Sequence, residues 1–124
     1  MKFVIAKSAG FCFGVKRAVE KVEGSIGKYS PLYTLGEIIH NPQVVEGFKQ
    51  RGVYPKASVK DIDSGAVIIR SHGATKSEFD ELKGKNVQII DATCPFVARI
   101  QKIVQKALQK NQFIVIIGEK EHPE

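Results

Sequence analysis

The residues of this chain best suited to chemistry, its two cysteines and three histidines, all follow short apolar runs. Each run has the length and composition of a β-strand. If the strands are parallel, their carboxyl ends share one edge of a sheet, where α/β proteins bind ligands. The repeated placement therefore predicts one shared site, formed by Cys12, His40, His72, Cys94 and His122.

Both cysteines stand directly before a predicted helix, Cys12 in the segment AGFCFG and Cys94 in DATCP. The helix dipole and the free N–H groups of a first helical turn favour the thiolate, which ligates iron or zinc or attacks an electrophile. The alternative is that both are free cysteines packed as small apolar residues. Because the two loops are equivalent, residue chemistry alone leaves a shared ligand role and a packing role equally open.

Two of the histidines indicate anion binding. His40 precedes Asn41, which is placed as a helix N-cap, and the positive end of a helix suits a phosphate group. His72 lies between Ser71, a hydroxyl donor, and Gly73, which lets the backbone approach a ligand. The alternative is that each histidine only satisfies a loop carbonyl, but two of them in a basic chain favour an anion site.

The third histidine indicates proton transfer. His122 and Glu124 are two residues apart in an extended loop. Histidine titrates near neutral pH and a nearby carboxylate can hold its tautomer, so the two can act as a proton-donating pair. A solvated loop without chemistry is the alternative, and the sequence alone does not separate the two.

Alternating apolar patterns predict the elements that position these residues. Strands are predicted at 2–6, 32–35, 66–70, 87–90 and 113–117, with four helices between them. The second helix begins near Pro42, the third begins near Thr75 or Ser77 and ends at Gly84, and the fourth is the longest. The order predicts an α/β fold, a mostly parallel sheet with helices on its faces. Residues 52–64 break the pattern and are predicted to be an irregular surface connection.

Size and composition exclude several protein classes. The 124 residues suffice for one domain with a core, and 43% hydrophobic with 26% charged residues excludes a disordered chain. No apolar run approaches the roughly 20 residues that span a bilayer, and the apolar start is too short for a signal peptide, so we expect no membrane partner and a cytoplasmic location. Two cysteines are too few for a disulfide framework.

The net charge of +6 favours anionic partners. A row of basic residues lies on the predicted fourth helix, without interleaved aromatic residues: Arg99, Lys102, Lys106 and Lys110. Such a row is typical of a solvated helix face, so we expect no nucleic-acid partner.

The chain ends on a polar loop directly after its last predicted strand, with no helix to cover that strand. A natural domain rarely ends in this way. We therefore expect the chain to be a piece of a longer protein, called the parent below.

In chain order, the five loops resemble the LytB/IspH family, the 4-hydroxy-3-methylbut-2-enyl diphosphate reductases of isoprenoid biosynthesis. The motifs that carry the resemblance are GFCFGV at 10–15, HNP at 40–42, RSHG at 70–73, DATCP at 91–95 and HPE at 122–124. Each motif alone is weakly specific, whereas the ordered set spans nearly the whole chain and is highly specific.

The resemblance implies an iron–sulfur enzyme of three similar α/β units around a central [4Fe-4S] cluster. It implies that Cys12 and Cys94 are two of three cysteine ligands, that His40 and His72 bind the substrate diphosphate, and that His122 contacts the substrate hydroxyl. Glu124 is then the proton donor that lets this hydroxyl leave as water. The implied reaction is the last step of the non-mevalonate pathway, a two-electron reduction of the allylic diphosphate to isopentenyl and dimethylallyl diphosphate, with ferredoxin or flavodoxin as the electron donor.

The resemblance also divides the chain. Residues 1–13 correspond to an N-terminal strand and cluster-ligand loop, 14–94 to the first α/β unit, and 95–124 to the start of a second, truncated unit. The family's third cysteine ligand is missing here, because the chain has only two cysteines. We therefore expect this piece alone to hold no stable cluster and to show no turnover.

Two other functions remain open from the residues. One is a zinc-dependent hydrolase with Cys12, Cys94 and one histidine as ligands. The other is a non-catalytic phosphate-binding α/β module, in which replacing Cys12 or Glu124 would leave the function of the parent intact.

Overall fold

The structure, a computed structural model, describes residues 1–119. Its helices are α1 (Phe13–Glu23), α2 (Pro42–Lys49), α3 (Lys76–Lys83) and α4 (Pro95–Gln109). Its strands are β1 (Leu32–Leu35), β2 (Val53–Lys56), β3 (Ala66–Ile69) and β4 (Gln88–Asp91). A short 3-10 helix, Val59–Asp61, follows β2.

The four strands form one parallel sheet in the order β2-β1-β3-β4. All four residues of β3 are buried, as expected for an interior parallel strand covered on both faces. The α/β class with a parallel sheet is therefore confirmed. The order places the carboxyl ends of β1, β3 and β4 side by side at one edge.

Helices cover both faces of this sheet. The side chains of β3 alternate between two apolar clusters, Ala66 and Ile68 in one and Val67 and Ile69 in the other. The first cluster includes α1 and α2, and the second includes α3 and the 3-10 helix. The resulting three-layer core fixes the sheet, and with it the positions of the loops at its carboxyl edge.

The predicted helix ends are confirmed by their capping. The Asn41 side chain accepts a hydrogen bond from the backbone N–H of Val44 at 3.1 Å, with Pro42 in the first turn of α2. Thr75 and Glu78 form a reciprocal capping box at the start of α3, and Gly84 caps its end. These ends follow from local residue chemistry, which explains why the sequence predicts them well.

The predicted strands at residues 2–6 and 113–117 are wrong. Both runs lack regular secondary structure and are exposed, Phe3 at 82% and Phe113 at 93%. A strand needs a neighbour that accepts and donates its backbone hydrogen bonds, and within residues 1–119 neither run pairs with one. The apolar composition of these runs favours a strand, but a strand forms only where a neighbouring strand is available to pair with it.

The irregular connection predicted at residues 52–64 is also wrong, since it contains β2 and the 3-10 helix. Pro55 lies within β2 and cannot donate a ladder hydrogen bond, which makes the segment a poor strand candidate by sequence. The structure places β2 at the sheet edge, where a proline is tolerated. The observed order is thus αβαββαβα instead of a strict strand–helix alternation.

Among residues 1–119, the structure contains no helix with the length and apolarity needed to cross a lipid bilayer.

An exposed ion pair connects the end of α1 to the residues after α2. The Arg51 guanidinium donates two hydrogen bonds to the Glu23 carboxylate, one of them at 2.7 Å. These hydrogen bonds hold the pKa of Glu23 below its ordinary value of 4.5. Because the folded pKa is lowered, the pair stabilises the fold above the unfolded pKa, and this contribution is lost as the pH falls through the folded value.

We therefore expect Glu23→Gln to lower the unfolding temperature of the parent at about pH 7, and to lower it less as the pH falls below the ordinary carboxyl pKa of 4.5. The effect is small, because both side chains are nearly half exposed and solvent screens the pair. Thermal unfolding of both proteins across this range measures it. A difference that does not shrink as the pH falls from about 7 to about 3 would contradict the assignment.

Candidate functional site

Backbone hydrogen bonds join the three loops that follow β1, β3 and β4. The N–H of Ser71 donates to the carbonyl of Ile38 at 3.3 Å, and the carbonyl of Ser71 accepts from the N–H of Cys94 at 2.7 Å. Ser71 therefore ties the loop of His40 to the loop of His72, and the loop of His72 to that of Cys94. The loops of His40, His72 and Cys94 therefore lie together at the predicted edge of the sheet.

The two described histidines lie against each other. The rings of His40 and His72 are parallel, with 5.7 Å between centroids and 3° between planes. His40 is exposed and His72 is partly buried. Gly73, with a φ of +89°, forms the turn after His72, and its N–H donates to the carbonyl of Arg70 at 3.0 Å. Two imidazole rings are thus presented together at the sheet edge, beside the N-terminus of α2.

A close approach between α1 and the loop after β4 places the Cys94 thiol against the first turn of α1. Cys12 is the N-cap of α1 and Cys94 is the N-cap of α4, and neither side chain makes a capping hydrogen bond. A Cβ built on Gly14 would lie 2.6 Å from the Sγ of Cys94. Because Gly14 is two residues after Cys12, the Cys94 thiol lies against the first turn of the helix that Cys12 begins.

One face of α1 holds the segment on both sides of Cys94. The Arg17 guanidinium donates to the carbonyl of Thr93 at 2.9 Å, and the Lys21 ammonium donates to the carbonyl of Asp91 at 2.7 Å. The Phe13 ring meets the Phe96 ring edge-on, with 6.2 Å between centroids.

The same loop is also held from within. The Asp91 carboxylate accepts hydrogen bonds from both the backbone N–H and the hydroxyl of Thr93. This turn shapes the backbone immediately before Cys94.

His72 also lines an open groove of about 480 Å³ between its own loop and α4. The polar residues at the groove include Arg70, Lys76 and Gln101, and the apolar ones include Ile100. His40 is not among the lining residues. The groove therefore gives solvent access to one side of the histidine pair.

Cys12 and Cys94 are the N-caps of two helices, and the Cys94 thiol lies against the first turn of the helix that follows Cys12. Two thiolates at such positions would fit two positions of a thiolate-bound iron–sulfur cluster. Within the described part of the chain, no three side chains among histidine, cysteine, aspartate and glutamate lie close enough to hold a metal ion. A zinc site made of Cys12, Cys94 and His40 or His72 therefore receives no support from the structure. His122 and Glu124 lie outside the described residues.

Sequence reasoning missed several residues that shape the site. Arg17 and Lys21 hold the loop before Cys94, but neither residue type drew attention to it. Gly14 and Ser71 belong to the cysteine and histidine motifs, but the close approach of Gly14 and the backbone hydrogen bonds of Ser71 were not predicted. The spacing of four between Phe13, Arg17 and Lys21 was a usable signal, because it places them on one face of α1.

Gly14→Ala should destabilise the parent by about 1–3 kcal/mol, because the new Cβ overlaps the Cys94 thiol in a closely packed place. Gly47→Ala is the matched control, since Gly47 is also helical and has open space around its Cβ position. The control should be neutral or stabilising by up to about 1 kcal/mol, because alanine is the better helix former. Chemical denaturation of both variants measures the difference. Equal stability of the two would contradict the close approach.

A family model described as LytB protein matches residues 3–124. A 4-hydroxy-3-methylbut-2-enyl diphosphate reductase of Syntrophotalea carbinolica is 45% identical over 124 residues. One of Caldanaerobacter subterraneus subsp. tengcongensis is 48% identical over 129 residues. Both alignments cover 100% of this chain but only 44% and 45% of the relatives. The chain thus spans less than half the length of these proteins.

Two solved structures resemble the fold. One is an (E)-4-hydroxy-3-methyl-but-2-enyl diphosphate reductase, described as the terminal enzyme of the non-mevalonate pathway, with a TM-score of 0.84 and 45% identity over 97% of this chain and 43% of its own. The other is the E-1-hydroxy-2-methyl-but-2-enyl-4-diphosphate reductase from Plasmodium falciparum, with a TM-score of 0.87 and 32% identity over 94% and 37%.

Proposed function

Because the chain belongs to the LytB family, we propose that its parent is an iron–sulfur reductase that acts on 4-hydroxy-3-methylbut-2-enyl diphosphate. The products are isopentenyl and dimethylallyl diphosphate, formed by two-electron reduction and loss of water. The relatives with this name match the whole chain, which supports the proposal.

The observation that carries the proposal is the contact of the Cys94 thiol, at the N-cap of α4, with the first turn of α1, the helix for which Cys12 is the N-cap. Gly14, without a side chain, leaves space for the Cys94 thiol beside the first turn of α1. We assign the two cysteines as two of three ligands of a [4Fe-4S] cluster, with the third in the remainder of the parent. The cluster would supply the electrons and an open iron position that activates the substrate hydroxyl.

His40 and His72 are assigned to the substrate diphosphate. Their parallel rings lie at the same sheet edge as Cys94, and Ser71 links all three loops. Imidazole N–H groups and the N-terminus of α2 can share the negative charge of a diphosphate. Held there, the substrate is oriented with its hydroxyl end toward the cysteines.

His122 and Glu124 are assigned to the hydroxyl end of the substrate, as the resemblance implies. His122 would contact the hydroxyl, and Glu124 would donate the proton with which it leaves as water.

The division of the chain at residues 13 and 94 is supported by where apolar side chains are exposed. Residues 14–94 contain the sheet and nearly all of the core. Outside this range, exposed apolar side chains are frequent: Phe3, Val4, Ile5, Phe96, Ile100, Ile103, Leu108, Phe113, Val115, Ile116 and Ile117. We propose that residues 1–13 and 95–124 pack against the remainder of the parent, and that this piece alone is inactive.

For electron supply, we propose a ferredoxin or a flavodoxin, which are small redox proteins of the cytoplasm. No nucleic acid and no membrane is required by the proposed reaction.

The test is turnover by the anaerobically purified parent with the allylic diphosphate and a chemical reductant. Both isopentenyl and dimethylallyl diphosphate are expected, and residues 1–124 alone should form neither. A folded, cluster-loaded parent that forms no product would contradict the proposed reaction. Equal turnover by residues 1–124 alone would contradict the proposal that the cluster needs a third ligand from the remainder of the parent.

A further inference from the structure

Three side chains of α1, four residues apart, contact residues on both sides of Cys94, between positions 91 and 96. Phe13 meets Phe96, Arg17 meets the carbonyl of Thr93, and Lys21 meets the carbonyl of Asp91. The contacts run in opposite chain directions, so α1 and the segment lie along each other. The helix that follows Cys12 therefore holds the segment around Cys94.

Arg17 is the member of this row with the most direct influence on Cys94. Its acceptor, the carbonyl of Thr93, belongs to the peptide bond whose nitrogen is that of Cys94. Arg17 is partly buried and Thr93 is buried, so the charge-assisted hydrogen bond is only partly screened. Lys21 contacts a carbonyl further from Cys94, on an exposed residue.

Gly14 alone does not set the spacing of the two thiols. It leaves space for the Cys94 side chain but makes no bond that would hold the loop there. The Arg17 hydrogen bond spans 76 residues of sequence and provides that restraint.

Resting on the proposed function, we infer that Arg17 is a positioning residue that sets the spacing of the Cys12 and Cys94 thiolates and places a fixed positive charge beside them. It acts through the Thr93 peptide, not by direct contact with substrate or cofactor. A positive charge near an iron–sulfur cluster stabilises the reduced form, so it also raises the reduction potential.

The first test uses the full-length parent without its cluster and the thiol cross-linker dibromobimane, which joins two nearby cysteines. Arg17→Met should slow the formation of the Cys12–Cys94 cross-link by about tenfold, the effect of losing one charge-assisted hydrogen bond. Lys16→Met is the matched control. Lys16 lies on the same helix, is 72% exposed, and makes only a 4.0 Å ion pair with Glu20, so its variant should cross-link at the native rate.

Arg17→Lys separates charge from geometry. Lysine keeps the charge and one donor but loses the planar guanidinium, so it should recover only part of the cross-linking rate. Thermal unfolding shows whether Arg17→Met is folded, and if it is not, Arg17→Lys replaces it in the cross-linking test. A folded Arg17→Met protein that cross-links at the native rate would overturn the inference. If Arg17→Met is unfolded, a native rate in Arg17→Lys would overturn it instead.

The second test measures the reduction potential of the cluster in the loaded parent. Arg17→Met should shift it to more negative values, whereas Arg17→Lys and Lys16→Met should stay near the native value. An unchanged potential in Arg17→Met would overturn the electrostatic part. If the native parent binds no cluster, the proposed function fails, while cross-linking still decides the spacing role.

Discussion

Cys94→Ser in the full-length parent should lower the affinity for the iron–sulfur cluster, and with it the reductase activity, at least a hundredfold. Replacing groups that only support a metal ligand typically costs 10- to 100-fold, and loss of the ligand itself costs no less. Serine occupies slightly less space than cysteine, so it fits beside Gly14 without overlap. The loop and its hydrogen bond to Ser71 should therefore survive.

The control for this variant is Thr93→Ser, one residue earlier in the same loop. Serine keeps the hydroxyl that donates to the Asp91 carboxylate, so the loop should keep its shape and the cluster should bind normally. Iron content, sulfide content and turnover are measured for both proteins. A Cys94→Ser protein with native iron, sulfide and turnover would show that Cys94 is a packing residue.

His72→Ala and His40→Ala should each raise the KM for the allylic diphosphate by about 10- to 100-fold, with a smaller change in kcat. Each substitution removes a donor to a charged group, worth about 1.5–3 kcal/mol. A group that binds ground state and transition state alike affects KM more than kcat. Steady-state kinetics of the parent measures both constants.

The parallel contact of the two rings adds a second expectation. Because the rings lie 5.7 Å apart, the effects in the double variant should not be additive. His72→Asn, which keeps an N–H donor, is the control and should lose less affinity than His72→Ala. An unchanged KM in both alanine variants would show that His40 and His72 do not bind the diphosphate.

Local chemistry made part of the fold predictable. The helix caps at Asn41, Thr75 and Gly84 depend on residues within a few positions of each other, and all three are confirmed. The two central strands and β4 are also found, since their apolar runs are bounded by turn residues. The parallel order then brought the loops of His40, His72 and Cys94 to one edge, as predicted.

Features that depend on distant partners were not predictable in the same way. The runs at 2–6 and 113–117 have strand composition but no pairing strand within residues 1–119, and β2 was missed because Pro55 is acceptable only at a sheet edge. The helix that follows Cys12 lies against the Cys94 loop only because α1 packs against the loop after β4. The Arg17–Thr93 hydrogen bond depends on the same packing and has no local signal beyond the spacing along α1.

Metal and sulfide analysis of the anaerobically purified full-length parent tests the central claim most directly. If Cys12 and Cys94 are two ligands of a [4Fe-4S] cluster, each chain should contain about four iron and about four acid-labile sulfide, lost together in Cys94→Ser. Zinc without sulfide, or no metal in a folded parent, would contradict the assignment.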